Sequence, residues 1–126
     1  MRALLDTSVL IADTSPGDIE AAISAASIAE LHFGVLVATD DDERARRVQR
    51  LGVVESTFDP LPIDAEVSRE WGRLAAAVAA RGGKARKRSV DLAIAATANV
   101  QGVPLLTHNT KDFRLLDGIV DVRAPH

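Results

Sequence analysis

Short apolar runs alternate with longer amphipathic stretches along this chain. Ala3, Leu4 and Leu5 form an unbroken apolar run, and residues 2 to 6 predict a short buried strand. Apolar positions resume at Val9, Leu10 and Ile11, predicting a brief helix that ends before Ser15-Pro16-Gly17. Residues 21 to 24, AAIS, predict a second strand although alanine is a poor strand former. A helix then starts at Ser27 and runs on through Leu31, Val35 and Leu36.

The stretch DDDERARRVQRL puts acids first and arginines later, which suits the macrodipole of an exposed, solvated helix. FDPLPI, residues 58 to 63, is extended, because each proline biases its predecessor away from helix. From Asp64 to Arg81, Val67, Trp71, Leu74 and Val78 recur at helical spacing, so the lone tryptophan is a core residue, and Gly82-Gly83 ends the helix. Ser89 to Gln101 is an alanine-rich helix closed by Gly102, able to lie tight against a sheet. Val103 to Thr107 and Ile119 to Arg123 predict the last strands. Strands separated by helices predict one α/β domain over residues 1 to 126 with a mainly parallel central sheet.

Composition narrows the chemistry. The chain has no cysteine, which excludes thiol nucleophiles, disulfides and Cys-ligated zinc and fits a reducing compartment. Asp6 and Asp13 interrupt the N-terminal apolar stretch, and no segment approaches the roughly 18 apolar residues of a membrane span. The expected location is the cytoplasm, with no membrane partner. A net charge of −3 gives no global attraction to nucleic acid, so any such binding must be local. The local feature is Arg81, Lys84, Arg86, Lys87 and Arg88, with no acid among them.

In a parallel α/β sheet, chemistry gathers where strands end and the chain turns into helices. Asp6 ends the first strand, Asn109 and Asp112 follow the strand ending at Thr107, and Glu30 and Asp91 fall in first turns of helices. Each also has a purely local explanation. Ser27 and Glu30 fit a capping box, Asp91 suits a helix N-terminus, Asp6 could cap the helix after it, and Asn109 and Asp112 could shape a turn. Taken together, these acids at one sheet edge repel one another unless protons or a cation offset their charge. Oxygen donors without Cys or a His pair select a hard ion, Mg²⁺ or Mn²⁺, and such a site suits phosphodiester hydrolysis. His32 and His108 are secondary acid–base candidates, since water activated by a metal needs no histidine, and His126 is terminal and uninformative.

Four segments, LLDTSVLI at 4 to 11, SIAEL at 27 to 31, VDLAIAATA at 90 to 98 and LLTHNTKDF at 105 to 113, resemble the PIN-domain family, and specifically the VapC-type toxins of bacterial toxin–antitoxin pairs. The resemblance implies a three-layer α/β/α fold and a metal-dependent endoribonuclease acting on single-stranded regions of structured RNA, either tRNA or rRNA. By position, Asp6, Glu30, Asp91 and Asp112 match the family's acidic quartet, with Asp6 and Asp91 the principal metal ligands. Thr7, Ser8 and Thr107 would orient carboxylates or waters. Asn109 stands where many relatives carry an acid, leaving open whether Asn109 or Asp112 completes the site. Lys84, Arg86, Lys87 and Arg88 would hold RNA phosphates beside it. The implied partners are the RNA, a VapB-type antitoxin and a second copy of the chain in a homodimer.

Two other classes compete. A phospho-receiver-like signalling domain has similar length and a lysine near the last strands, here Lys111, but needs an acid pair at the end of the first strand; Asp6 is followed by Thr7. A PIN-like module that binds without cutting would be expected to lack its acids, and all four are present.

Overall fold

Leu4 and Leu105 pack into one hydrophobic cluster while Ala3, Leu5 and Leu106 pack into another, so successive residues of two strands feed opposite faces of one sheet. The computed structural model describes residues 1 to 12 and 19 to 125; the Ser15-Pro16-Gly17 break and His126 lie outside the described residues. Four strands, β1 (Arg2–Leu5), β2 (Glu20–Ala22), β3 (Leu105–Leu106) and β4 (Val122–Arg123), pair in the order β2-β1-β3-β4, and every pairing is parallel. With both faces covered, β1 reads as a continuous apolar run instead of an alternating one. Among the described residues no helix is long and apolar enough to cross a membrane.

One face carries α4 (Ala65–Ala80) and α5 (Ser89–Gln101); the other carries α1 (Thr7–Ile11), α2 (Ala25–Val37) and α3 (Asp41–Thr57). In α5 every residue from Leu92 to Ala98 is buried, and its alanines let it approach both the sheet and α4. Gly102 closes α5 in the left-handed conformation, φ 68°, where a side chain would be strained. Trp71 is half-buried against this core. The acid-first helix α3 is capped by Asp40 and buries only Leu51 and Val54 among its residues, as a solvated helix should.

Several boundaries differ from the sequence reading. The second strand is Glu20–Ala22, earlier than AAIS, and Ser24 instead bridges to Leu61 in the extended FDPLPI segment. The helix after it begins at Ala25, and its cap is Ser24, whose hydroxyl accepts from the Ala26 N–H at 3.0 Å. The proposed Ser27–Glu30 capping box is therefore absent, and Glu30 falls in the second turn. The last strands are shorter than predicted, because β3 and β4 pair over only two residues each. The basic stretch forms a 3₁₀ turn, Ala85–Arg88, and a second 3₁₀ segment, Thr110–Leu116, separates β3 from β4.

The register Leu5↔Leu106 continues one residue beyond both strands, where the Asp6 N–H donates to the Leu106 carbonyl at 2.9 Å. That pairing sets Asp6 beside Thr107 at the carboxyl edge. Because Ser24 is the cap of α2, Ser24→Ala is expected to lower stability by about 1 kcal/mol, measured by urea unfolding. No loss would return the cap to Ser27.

Candidate active site at the carboxyl edge of the sheet

Asp6 occupies the cap position of α1, yet its side chain makes no capping bond. It is 5% exposed, and its Oδ2 accepts from the Ser8 hydroxyl at 2.8 Å and the Thr107 hydroxyl at 2.7 Å. Those hydroxyls are themselves held by backbone: the His108 N–H donates to Ser8 Oγ and the Asn109 N–H to Thr107 Oγ1, both at 3.0 Å. Both hydroxyl donors go to one carboxylate oxygen. Among the described residues nothing donates to Oδ1.

Glu30 reaches the same edge from α2. The Thr7 hydroxyl donates to Glu30 Oε1 and lies 3.1 Å from the fully buried Ser27 Oγ. Burial raises the Glu30 pKa, the Thr7 hydrogen bond opposes the rise, and the Asp6 charge adds to it. Asp91, in the first turn of α5, is pushed up to about 6, first by burial and then by repulsion from Asp6 and Glu30. Arg88 opposes this and Asp112 adds to it. The Arg88 guanidinium spans the two remaining acids, with Nη1 3.6 Å from Asp91 Oδ2 and Nη2 3.5 Å from Asp112 Oδ1.

Four carboxylates from four separate segments thus share one electrostatic neighbourhood. They face one another without forming a ready-made claw: among the described residues no three acids stand close enough to grip one ion as they are. The donor chemistry still fits a hard divalent cation. All the donors are oxygen, Asp6 Oδ1 accepts from no described donor, and the mutual repulsion leaves negative charge to be offset.

A family model described as the PIN domain matches residues 3 to 119. The chain is a PIN-domain protein. It is 39% identical to ribonuclease VapC5 of Mycobacterium tuberculosis, an alignment covering 94% of this chain and 90% of that protein. Ribonuclease VapC4 of the same organism is 36% identical, with 86% of each chain covered. The crystal structure of the toxin–antitoxin family member VapBC-5 from M. tuberculosis superposes at a TM-score of 0.83 with 36% identity, over 98% of this chain and 96% of that one. VapBC2 from Rickettsia felis shares the fold at a TM-score of 0.75 and 21% identity, over 98% of each chain.

In this PIN domain the structure brings together Asp6, Glu30, Asp91 and Asp112, with Thr7 bonded to Glu30 and Ser8 and Thr107 to Asp6. Asp112 shares Arg88 with Asp91, whereas Asn109 supplies its backbone N–H to Thr107 and makes no side-chain cap. Lys84, Lys87 and Arg88 line a cavity of about 380 Å³ that also contains Asp91, Asp112 and Lys111, over an apolar floor including Leu92 and Leu115. Arg86 lies outside that lining. His32 pairs with Glu55 at 3.3 Å, and His108 is exposed and contributes its backbone.

Two participants escaped the sequence reading. Ser27, assigned there to a cap, is the buried neighbour of Thr7. Arg88, assigned to RNA, is tied to the acids; its position three residues before Asp91 in a helical register was the available signal.

The raised Asp91 pKa has a sign. The folded protein keeps the Asp91 proton up to about 6, whereas the unfolded chain releases it near 3.8. Between those values the native state binds more protons, so stability falls as pH rises through the window. Asp91→Asn is expected to give the cation-free protein a higher Tm than the wild type at pH 7 and a flatter profile between about pH 4 and 6, checked by calorimetry. Equal melting temperatures at pH 7 would contradict the raised Asp91 pKa.

Proposed function

We propose that this PIN domain is the ribonuclease toxin of a toxin–antitoxin pair, a Mg²⁺-dependent endoribonuclease that also accepts Mn²⁺ and hydrolyses single-stranded regions of structured tRNA or rRNA. The carrying observation is the convergence of Asp6, Glu30, Asp91 and Asp112 at one sheet edge, where burial first and then repulsion from Asp6 and Glu30 push Asp91 up to about 6. Asp6 and Asp91 would hold the ion, with Glu30 and Asp112 completing the charge. A divalent cation supplies acidified water for in-line attack and offsets charge building on the phosphate oxygens.

The chain's own residues do the positioning. Ser8 and Thr107 fix the Asp6 carboxylate through Oδ2, and Thr7 fixes Glu30. Two hollows border the acids. Lys84, Lys87 and Lys111 rim one, and Arg50 and Arg47, the latter paired with Glu43 at 2.9 Å, line another of about 330 Å³ that reaches Thr7 and Glu30. This arrangement supports a polyanionic strand crossing the acidic centre, with phosphates on the flanks.

The antitoxin partner draws support from α2, where Phe33 is 65% and Leu36 77% exposed. Large apolar side chains left in water mark surfaces that a partner covers. An antitoxin segment bearing an arginine would complement the acids. A homodimer is the expected assembly of the toxin itself.

Asp6→Ala is expected to abolish RNA cleavage with Mg²⁺ while the fold persists by circular dichroism, and EDTA should abolish wild-type cleavage. Cleavage of total RNA that survives either change would overturn the assignment. Thr107→Val keeps the shape but removes the hydroxyl that orients Asp6, so cleavage is expected to slow by about 10- to 100-fold. A rate within a factor of about two of the wild type would assign Thr107 to packing alone.

A further inference from the structure

Arg88 stands at the cap position of α5, where its side chain makes no capping bond, and its guanidinium spans Asp91 and Asp112. Among the described residues it is the only cation within ion-pair distance of any of the four clustered acids. Asp91 comes from α5 and Asp112 from the segment between β3 and β4, so no local backbone geometry holds them together. Both contacts, 3.6 and 3.5 Å, are longer than the roughly 2.8 Å of a strong charge-assisted hydrogen bond, and the Arg88 side chain is 46% exposed. Long, half-exposed pairs stabilise little and are readily exchanged.

We propose that Arg88 is a built-in counter-ion that holds Asp91 and Asp112 in the cation-free protein, gives them up when a divalent cation binds, and then turns to a phosphate of the RNA. This rests on reading the four acids as the metal site. Two positive groups that satisfy the same acids compete, and each weakens the binding of the other. The guanidinium has a destination close by: it already lines the 380 Å³ cavity with Lys84, Lys87 and Lys111. Its planar fork suits two phosphate oxygens at once, which a lysine ammonium cannot match.

The two halves of this role give opposite signs on one substitution. Arg88→Gln removes the competitor, so the Kd for Mn²⁺ alone, measured by calorimetry on the full chain without RNA, is expected to fall about five- to tenfold. Arg88→Lys, keeping the charge without the fork, is expected to lie between Arg88→Gln and the wild type. At saturating Mn²⁺, cleavage of total RNA by Arg88→Gln is expected to slow by about tenfold because the phosphate contact is gone. Tighter metal binding with slower turnover is the signature. Unchanged or weaker Mn²⁺ binding in Arg88→Gln overturns the counter-ion role, and unchanged or faster cleavage at saturation overturns the phosphate role. If the wild type binds no Mn²⁺, the metal reading falls and takes this proposal with it, whereas an Arg88→Gln affinity equal to a measurable wild-type affinity sinks this proposal alone.

Discussion

The pairing of β1 with β3 is the constraint on which the site depends. Parallel register sets Leu5 against Leu106, and one step further it sets Asp6 against Thr107. Because side chains alternate faces, that same step turns Asp6 and Thr107 toward the α5 side, away from the layer that buries Leu5 and Leu106. A slip of one residue would turn Asp6 to the opposite face and separate it from α5. The apolar contacts of Leu4, Leu5, Leu105 and Leu106 therefore act at a distance on the chemistry: they are the rigid mount of a carboxylate.

Around that mount the protein gathers charge that would otherwise disperse. Burial and repulsion oppose ionisation of Glu30 and Asp91, so these acids stand where they are at some cost to the cation-free fold. Hydrogen bonding and Arg88 lessen the cost without removing it. Hydroxyls from Thr7, Ser8 and Thr107 each donate to a carboxylate, and no buried side-chain donor or acceptor among the described residues is left unpartnered. A polar network this complete defines carboxylate orientation before any ligand arrives.

The surroundings match the reading of a nuclease better than that of a signalling domain. Two hollows border the acids, one built from the basic turn and the 110–116 segment with Lys84, Lys87 and Lys111 in its lining, the other from α1, α2 and α3 with Arg47, Arg50 and Glu43 in its lining. A strand of RNA offers repeating phosphates to both.

The sequence by itself determined the elements whose causes are local. Apolar runs, helical spacing, prolines and the closing Gly102 placed the strands and helices, and the four motif segments named the acids and the hydroxyls after β1. Ser24 rather than Ser27 caps α2, and the same residue bridges to Leu61, a contact between segments far apart in sequence. Likewise Arg88 and Asp91 come to Asp112 in the 110–116 segment only when α5 packs beside it. Tertiary structure also decided that the half-exposed Arg88 reaches two of the acids. Local pattern fixes what a residue prefers, but charges from distant segments interact only after the sheet register and the docking of α5 have brought them within a few ångströms.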